Sequence, residues 1–202
     1  MPGDHYFSPS PAAELKLRTI TVDLAGAPRT VTTAGGVFSP ERLDTGTRVL
    51  LNETPAPPQT GDLLDIGCGW GPISLELAIR SPDATVWAID VNERALELVR
   101  RNASALGLSN VHAVTPDGVP EGVSFSAIWS NPPIRVGKAA LHDLLIRWLP
   151  RLTPGAAAHL VVARNLGSDS LQRWLLETLP GGFSVDRVAY DKGYRVLRVH
   201  RP

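Results

Sequence analysis

The order of apolar and polar positions divides the chain into two parts. Over residues 15–33 the two kinds alternate, and an Ala-Gly-Ala-Pro segment interrupts the alternation. This pattern, rich in β-branched residues, predicts two short strands joined by a turn. A helix is predicted to begin at Ser39-Pro40-Glu41, because proline is favoured in a first helical turn, and to reach about Asn52.

Three prolines, at positions 55, 57 and 58, then mark the best internal boundary. We therefore predict an N-terminal extension over residues 1–54 and a main domain over residues 55–202. Residues 1–14 have little periodicity and are predicted to form an irregular arm in front of the short β extension.

Beyond residue 61, short apolar runs alternate with segments of helical periodicity. The predicted strands span residues 63–66, 85–90, 111–114, 125–130, 156–163, 183–190 and 194–200, and the predicted helices span 72–80, 92–106, 138–149 and 168–179. This alternation predicts an α/β fold with a mainly parallel sheet of seven strands, covered on both faces. The last two strands flank Asp191-Lys192-Gly193, which predicts a hairpin at an antiparallel edge.

Composition and charge restrict the class of protein. The 20 basic and 20 acidic residues cancel, so contact with nucleic acid would need a local patch. Cys68 is the single cysteine and the five histidines lack ligand spacing, so we predict no disulfide and no metal. No apolar run approaches the ~20 residues of a membrane span. The first residues do not resemble a signal peptide, and we predict a cytoplasmic protein that makes no membrane contact.

The strand 63–66 runs into three glycines, Gly67, Gly69 and Gly71, and a helix follows at once. Glycine lets the backbone approach a ligand closely, and the start of a helix offers unpaired N–H groups. Asp65 adds a carboxylate beside the turn, which predicts a cradle for a nucleotide or cofactor. Cys68 lies inside this cradle and is interpreted as a small packing residue rather than a nucleophile.

Further acids follow the next two strands. Asp90, followed by Val91, ends the second strand about twenty residues after the glycines, where an acid takes ribose hydroxyls in dinucleotide folds. Asp117 and Gly118 lie in a turn after the third strand, where the carboxylate is a possible partner for an adenine amino group. Ligands of such sheets bind at the carboxyl ends of the strands, so these residues are predicted to converge on one ligand.

The segment Asp65-Ile66-Gly67-Cys68-Gly69 together with Asp90 resembles the class I S-adenosylmethionine-dependent methyltransferases. Asn131-Pro132-Pro133 resembles the motif of those members that methylate planar exocyclic nitrogens. The resemblance implies a Rossmann-like fold, S-adenosylmethionine as cofactor, and Asn131, Pro132 and Pro133 as catalytic residues. Asn131 is also a candidate for cofactor binding.

The chemistry of such a nitrogen explains the motif. Its lone pair is delocalised into a π system, so the amine is a poor nucleophile. The side-chain oxygen of Asn131 and a carbonyl of the Pro-Pro segment can each accept an N–H bond, which places the nitrogen and shifts electron density onto it. Proline supplies a rigid backbone for those carbonyls.

A closer resemblance, over about residues 30–200 and extending to His5-Tyr6-Phe7-Ser8, is to the RsmC-like small-domain family in its single-domain branch. It rests on the segments 36–39, 43–47, 131–138 and 192–196. The resemblance implies that the segment 38–46 lies against the cofactor, with Thr45 and Gly46 as secondary binding residues. It also implies guanine N2 of 16S ribosomal RNA as the acceptor, and the RNA or the small ribosomal subunit as the partner.

Two residues depart from that family. Ile134 stands where many relatives carry Phe or Tyr, and Arg135 where guanine-specific members often carry His. Arg135 is equally well interpreted as a base or phosphate contact and as a solvated loop residue. The substrate-binding candidates are Phe38, Ile134, Arg135, Lys138, Tyr194 and Arg195.

Other functions stay open at this point. Adenine N6 and a protein glutamine amide also meet an Asn-Pro-Pro motif. From another class, the chain could be a catalytically silent RNA-binding or assembly factor. An NAD-dependent dehydrogenase is a weaker alternative, because it leaves Asn131-Pro132-Pro133 unexplained. The sequence does not indicate the oligomeric state.

Overall fold

The computed structural model describes residues 16–202, apart from the side chain of Arg135. The predicted arm, including His5-Tyr6-Phe7-Ser8, lies outside the described residues. The strands are β1 Leu17–Leu24, β2 Ala27–Ala34, β3 Thr60–Ile66, β4 Asp83–Ile89, β5 Val111–Val114, β6 Phe125–Ser130, β7 Leu152–Ala163, β8 Ser184–Asp191 and β9 Tyr194–His200. The α-helices are α1 Thr45–Glu53, α2 Pro72–Arg80, α3 Glu93–Ala105, α4 Lys138–Trp148 and α5 Ser168–Thr178.

Seven strands form one sheet in the order β5-β4-β3-β6-β7-β9-β8, and β1 and β2 pair separately as an antiparallel hairpin. The strands β3 to β7 are parallel to one another, whereas β9 is antiparallel to both β7 and β8. The predicted fold class, a mainly parallel seven-stranded sheet with an antiparallel C-terminal hairpin, is confirmed. Lys192 and Gly193 form the tight turn of that hairpin with positive φ angles of 47° and 83°.

Most predicted elements are confirmed, with ends displaced by a few residues, but the start of α1 was predicted wrongly. The helix begins at Thr45 because the side chain of Asp44 caps it, accepting from the N–H of Thr47 at 3.1 Å. Ser39 instead has a left-handed backbone, with φ 45°, and its hydroxyl donates to the carbonyl of Arg42. Pro40 therefore precedes the helix rather than opening it.

The strand predicted over residues 156–163 begins earlier than expected, because β7 already starts at Leu152. The register shifts between the pair Leu152–Phe125 and the pair Ala157–Ala127. The residues between Leu152 and Ala157 thus form a bulge within a longer strand, where extra residues leave the ladder locally unpaired.

The core lies on both faces of the sheet. Leu63 belongs to the layer under α1, α2, α3 and the β1–β2 hairpin, whereas its neighbour Leu64 belongs to the layer under α4 and α5. Successive residues of a strand point to opposite faces, so one buried strand serves both layers. Within residues 16–202, no helix is long and apolar enough to cross a membrane.

A buried amide on α3 helps to attach the hairpin to the sheet domain. Asn102 on α3 accepts from the N–H of Thr32 at 2.7 Å and donates to its carbonyl at 2.9 Å, and it also donates to the carbonyl of Trp70 at 3.0 Å. The hairpin and α1 thereby share one core with the sheet. The division between residues 54 and 55 stays a prediction.

Replacing this amide tests its role. We expect Asn102→Ala to lower the free energy of unfolding by about 3 kcal/mol, because it leaves buried backbone groups unpaired. Urea unfolding followed by circular dichroism measures the change. The control is Asn52→Ala at an exposed position of α1, expected to change stability by no more than about 0.5 kcal/mol. Equal losses in the two variants would contradict this account.

Candidate active site

A cleft of about 1090 Å³ opens at the carboxyl ends of β3, β4, β6 and β7. This is the edge at which ligands bind in parallel α/β sheets. Its lining residues are Val37, Phe38, Asp44, Ile66, Gly67, Gly69, Ile89, Asp90, Val91, Asn92, Ala95, Pro116, Asn131, Pro132, Pro133, Ile134, Leu144, Ala163, Leu166 and Tyr194. A smaller recess of about 330 Å³ continues it between the glycine turn and α1.

The glycine turn forms the floor of the cleft. The carbonyl of Ile89 accepts from the N–H groups of Gly67 and Cys68, at 2.9 and 3.0 Å, so the turn is tied to the end of β4. Gly67 and Gly69 have positive φ angles of 76° and 54°, which an L side chain rarely adopts. A Cβ on Gly67 would stand 3.7 Å from the ring of Pro133 and would narrow the cleft. The turn therefore fits a cofactor that approaches the backbone closely.

Asp90 lines the cleft and also holds its floor. One carboxylate oxygen accepts from the N–H of Gly69 at 3.0 Å, and the other from that of Asn92 at 2.9 Å. Burial raises the pKa of Asp90, and these N–H bonds partly offset the rise. Each carboxylate oxygen can still accept a further hydrogen bond from a ligand. Val91, the next residue, is 45% exposed at the rim.

Asp65 does not line the cleft. It is fully buried, and one of its oxygens accepts from the hydroxyl of Ser74 at 2.5 Å. The other oxygen, Oδ1, has no hydrogen-bond partner among the described residues. Burial raises the pKa of Asp65 to about 7. Through Ser74, Asp65 ties the end of β3 to α2 below the cleft.

Cys68 lies behind the turn, with its backbone in the recess and its side chain packed among Ala88, Leu96, Val99 and Ala113. Burial raises the pKa of the Cys68 thiol, which keeps it protonated and unreactive. The packing interpretation of this residue agrees with its surroundings.

A loop before α1 forms the facing wall. It is fixed by three side chains that donate to its carbonyls: Asn92 to Gly36 at 2.8 Å, Arg94 to Gly35 at 2.8 Å, and Trp70 to Ser39 at 3.1 Å. These bonds place Val37 and Phe38 at the cleft. Sequence reasoning missed the anchoring role of Asn92 and Arg94, because nothing in the sequence shows which loop a helix start faces.

Asn131, at the end of β6, is held by α1. Its amide nitrogen donates to the carboxylate of Asp44 at 2.9 Å and to the hydroxyl of Thr47 at 3.1 Å. A carboxylate oxygen can only accept, so the nitrogen must face Asp44. The carbonyl oxygen of Asn131 has no protein donor among the described residues and is left to accept from a ligand.

Asp44 and Thr47 were not among the sequence candidates. Asp44 three residues before Thr47 is a typical start of a helix, and this capping signal identifies the pair. It does not reveal that both residues also bond to Asn131, which lies 87 positions after Asp44.

The Pro-Pro segment forms a tight turn. The carbonyl of Pro132 accepts from the N–H of Ile134 at 2.8 Å, and Pro133 has φ −75° and ψ 71°, the geometry of an inverse γ-turn. The carbonyl of Pro133 accepts from the N–H of Val136 at 3.1 Å. Each carbonyl thus keeps one lone pair for a ligand.

Several other candidates lie outside the cleft lining. The carboxylate of Asp117 is 89% exposed and pairs with Arg147 at 2.7 Å, so Pro116 rather than Asp117 faces the cleft. Gly118 packs against Val114 behind that turn. Thr45 and Gly46 begin α1 behind Asp44, and a Cβ on Gly46 would come within 2.7 Å of the Tyr194 ring.

The substrate candidates divide in the same way. Phe38, Ile134 and Tyr194 line the cleft. Lys138 lines a separate opening beside it. Arg195 is held by the hydroxyl of Ser168 and the carboxylate of Asp169 and does not line the cleft. Arg135 lies in the short turn Ile134–Val136, and its side chain lies outside the described part of the structure.

No group of three or more His, Cys, Asp or Glu side chains in residues 16–202 is placed to hold a metal ion.

Comparisons with known proteins agree on one family. The family model described as methyltransferase small domain matches residues 28–198. The uncharacterized protein YbxB of Bacillus subtilis (strain 168) is 34% identical over 201 residues, which cover 98% of both chains. The ribosomal RNA small subunit methyltransferase C of Pseudomonas syringae pv. syringae is 34% identical over 190 residues, covering 92% of this chain and 55% of that protein.

A solved structure has the same fold. It is the 16S rRNA N2 methyltransferase RsmC of T. thermophilus in complex with AdoMet and guanosine, with a TM-score of 0.80 and 24% identity. The match covers 95% of this chain and 52% of that one. The chain thus spans about half the length of the RsmC proteins that it matches.

The buried carboxyl of Asp65 predicts a pH dependence. Its pKa is higher in the folded than in the unfolded chain, so the fold binds the extra proton between pH 3.8 and about 7. Its contribution to stability therefore falls as the pH rises through that window. Asp65→Asn cannot ionise and should gain stability relative to the parent chain between pH 5 and pH 8. Urea unfolding at several pH values measures the difference.

The pKa of Asp90 is also raised in the folded chain, so its contribution to stability likewise falls as the pH rises. Only the difference in stability between the variant and the parent chain is therefore informative. The control is the same substitution at the exposed Asp83. A stability difference for Asp65→Asn that stays constant with pH would be evidence against a raised pKa.

Proposed function

The chain belongs to the methyltransferase small domain family, and we propose that it methylates the exocyclic N2 amine of a guanine in 16S ribosomal RNA. S-adenosylmethionine is the cofactor. The observation that carries the proposal is the orientation of Asn131, whose amide nitrogen is engaged by Asp44 and Thr47. The oxygen that remains can only accept, so it recognises a hydrogen-bond donor, which an exocyclic amine supplies through its N–H.

The donor side of the cleft is built from this chain's own residues. Gly67 and Gly69 let a ligand lie against the backbone, and Asp90 has lone pairs left for ribose hydroxyls. The recess beside α1 would take the methionine part. When bound, S-adenosylmethionine supplies an electrophilic methyl group on a sulfonium sulfur.

The acceptor side would use Asn131 and the carbonyl of Pro132. Two acceptors fixed on a rigid turn would orient both N–H bonds of an amine and raise the electron density on its nitrogen. Ring nitrogens that carry no hydrogen would gain nothing from this arrangement. The positions of the two oxygens are maintained by α1 and by the γ-turn, respectively.

Guanine as the base, and ribosomal RNA as its carrier, are supported by the relatives. RsmC of T. thermophilus is described as an N2 methyltransferase of 16S rRNA and was solved with guanosine. Adenine N6 and a glutamine amide also carry N–H groups and remain the alternative acceptors. The cytoplasmic location likewise stays a prediction.

The acceptor is tested directly by labelling. The chain is incubated with radiolabelled S-adenosylmethionine and, separately, undermethylated 30S subunits, free 16S RNA and release-factor protein. We expect label in N2-methylguanine after nuclease digestion of the RNA. Label in N6-methyladenine or in protein would reassign the acceptor. Binding of S-adenosylhomocysteine without transfer to any of the three would favour a catalytically silent factor.

The orientation of Asn131 is tested by Asp44→Asn. Asparagine also caps helices, so α1 should persist. Its amide, however, can donate to Asn131, which removes the constraint that keeps the Asn131 oxygen facing the acceptor. We expect kcat to fall about a hundredfold, the scale of a misplaced reacting group. Thr47→Ser keeps the hydroxyl and should retain activity.

The affinity for S-adenosylhomocysteine, measured by calorimetry, separates orientation from cofactor binding. It should be unchanged in Asp44→Asn and reduced in Asp90→Ala. If Asp44→Asn lost cofactor affinity in proportion to kcat, Asp44 would be a cofactor ligand instead.

A further inference from the structure

A second opening lies beside the acceptor end of the cleft, between α4 and α5. It has about 650 Å³ of free space and shares two lining residues, Ile134 and Leu166, with the cleft. Leu166 is 46% exposed, although it is a large apolar residue. We refer to this opening, lined also by Lys138, His142 and Trp174, as the side pocket. The shared residues form a ridge that a ligand filling both openings would cross.

The side pocket contains a π surface. His142 on α4 and Trp174 on α5 stack with ring centroids 3.5 Å apart and planes inclined by 7°. Both side chains are half-buried and line the pocket. Flat rings of this kind bind nucleobases by stacking, with little dependence on base identity.

The charges around the side pocket favour an anionic ligand. Lys138 lines it and is exposed, and Arg164 is exposed on the short turn that also carries Leu166. Neither side chain forms an ion pair with another residue of the described chain. None of the described residues that line the pocket is an aspartate or glutamate. The pocket therefore joins an apolar, aromatic wall to unneutralised cations.

Three other cations near this end of the sheet, all in the described part of the chain, form ion pairs. Arg195 pairs with Asp169, Arg198 with Asp186 at 2.8 Å, and Arg147 with Asp117 at 2.7 Å. Exposed pairs of this kind contribute little to stability, but they reduce the positive charge offered to a phosphate. Among the side chains that the structure describes, Lys138 and Arg164 are thus the cations best placed to contact RNA at the mouth.

We propose that the side pocket binds the base next to the methylated nucleotide in single-stranded RNA, stacked on the His142–Trp174 pair, with Lys138 and Arg164 on the intervening phosphate. The inference rests on the proposed action on RNA and extends it by assigning a second nucleotide site. Such a site would select an acceptor within a strand over a free guanosine, since the neighbouring base adds binding energy that a nucleoside cannot supply.

The experiment compares two labelled RNAs of five nucleotides with the order U-A-G-A-U. One is intact, and the other has abasic sugars on both sides of the guanosine, so that only the neighbouring bases differ. Fluorescence anisotropy is measured with saturating S-adenosylhomocysteine, which makes binding independent of turnover. We expect the parent chain to bind the intact RNA about tenfold more tightly, the scale of one stacked base.

Three variants locate the effect. His142→Ala and Trp174→Ala should bind the two RNAs equally, whereas Lys138→Ala should weaken both alike, because both keep their phosphates. The control is His112→Ala, since His112 stacks on Trp87 at 5.1 Å on other strands of the sheet. The His112→Ala variant should keep the tenfold difference in affinity between the two RNAs. Thermal melting checks that each variant is folded.

The outcomes separate this inference from the proposed function. The proposed base site would be contradicted if the parent chain bound the two RNAs equally, or if the difference in affinity persisted in both aromatic variants. Either result would count against the site even if the chain methylates RNA. A difference that disappears in these variants supports the pocket even if the labelling experiment assigns another acceptor.

Discussion

One backbone carbonyl and one carboxylate hold the turn on which the cleft is built. The carbonyl of Ile89 accepts from Gly67 and Cys68. Asp90 accepts from Gly69. Three successive N–H groups of the turn are thereby tied to the end of β4, so the left-handed glycines are fixed in position. Because buried backbone groups must find partners, the turn cannot leave β4 without losing all three bonds.

The segment before the sheet domain completes the site. Asp44 and Thr47 orient the amide of Asn131, and the loop held by Asn92 and Trp70 forms the facing wall. Each of these bonds joins the N-terminal segment to a strand end or to a helix start of the sheet domain. The N-terminal segment is therefore part of the cleft and of the core, and its packing orients the Asn131 amide at the end of β6.

At the end of the cleft near Asn131, ion pairing within the chain decides which positive side chains are available to a ligand. The cations of the C-terminal hairpin lie near acids of the same chain, as Arg195 does beside Asp169. Lys138 and Arg164 have no such partner in the described structure, and they flank an aromatic opening. In a chain with no net charge, the surface that we propose for RNA is therefore small, and it consists of cations that no neighbouring acid in the described structure pairs with.

The sequence by itself determined the order of elements, the parallel sheet and the convergence of Gly67, Asp90 and Asn131, because periodicity and strand ends are local features. Only the tertiary structure showed that Asp65 is buried below the cleft and that Asp44 holds Asn131. It also showed that α1 begins at Thr45, where the side chain of Asp44 caps it, and not at the earlier proline. Hydrogen bonds across 87 positions, and the burial of one carboxylate, depend on how elements pack, which a local pattern does not contain.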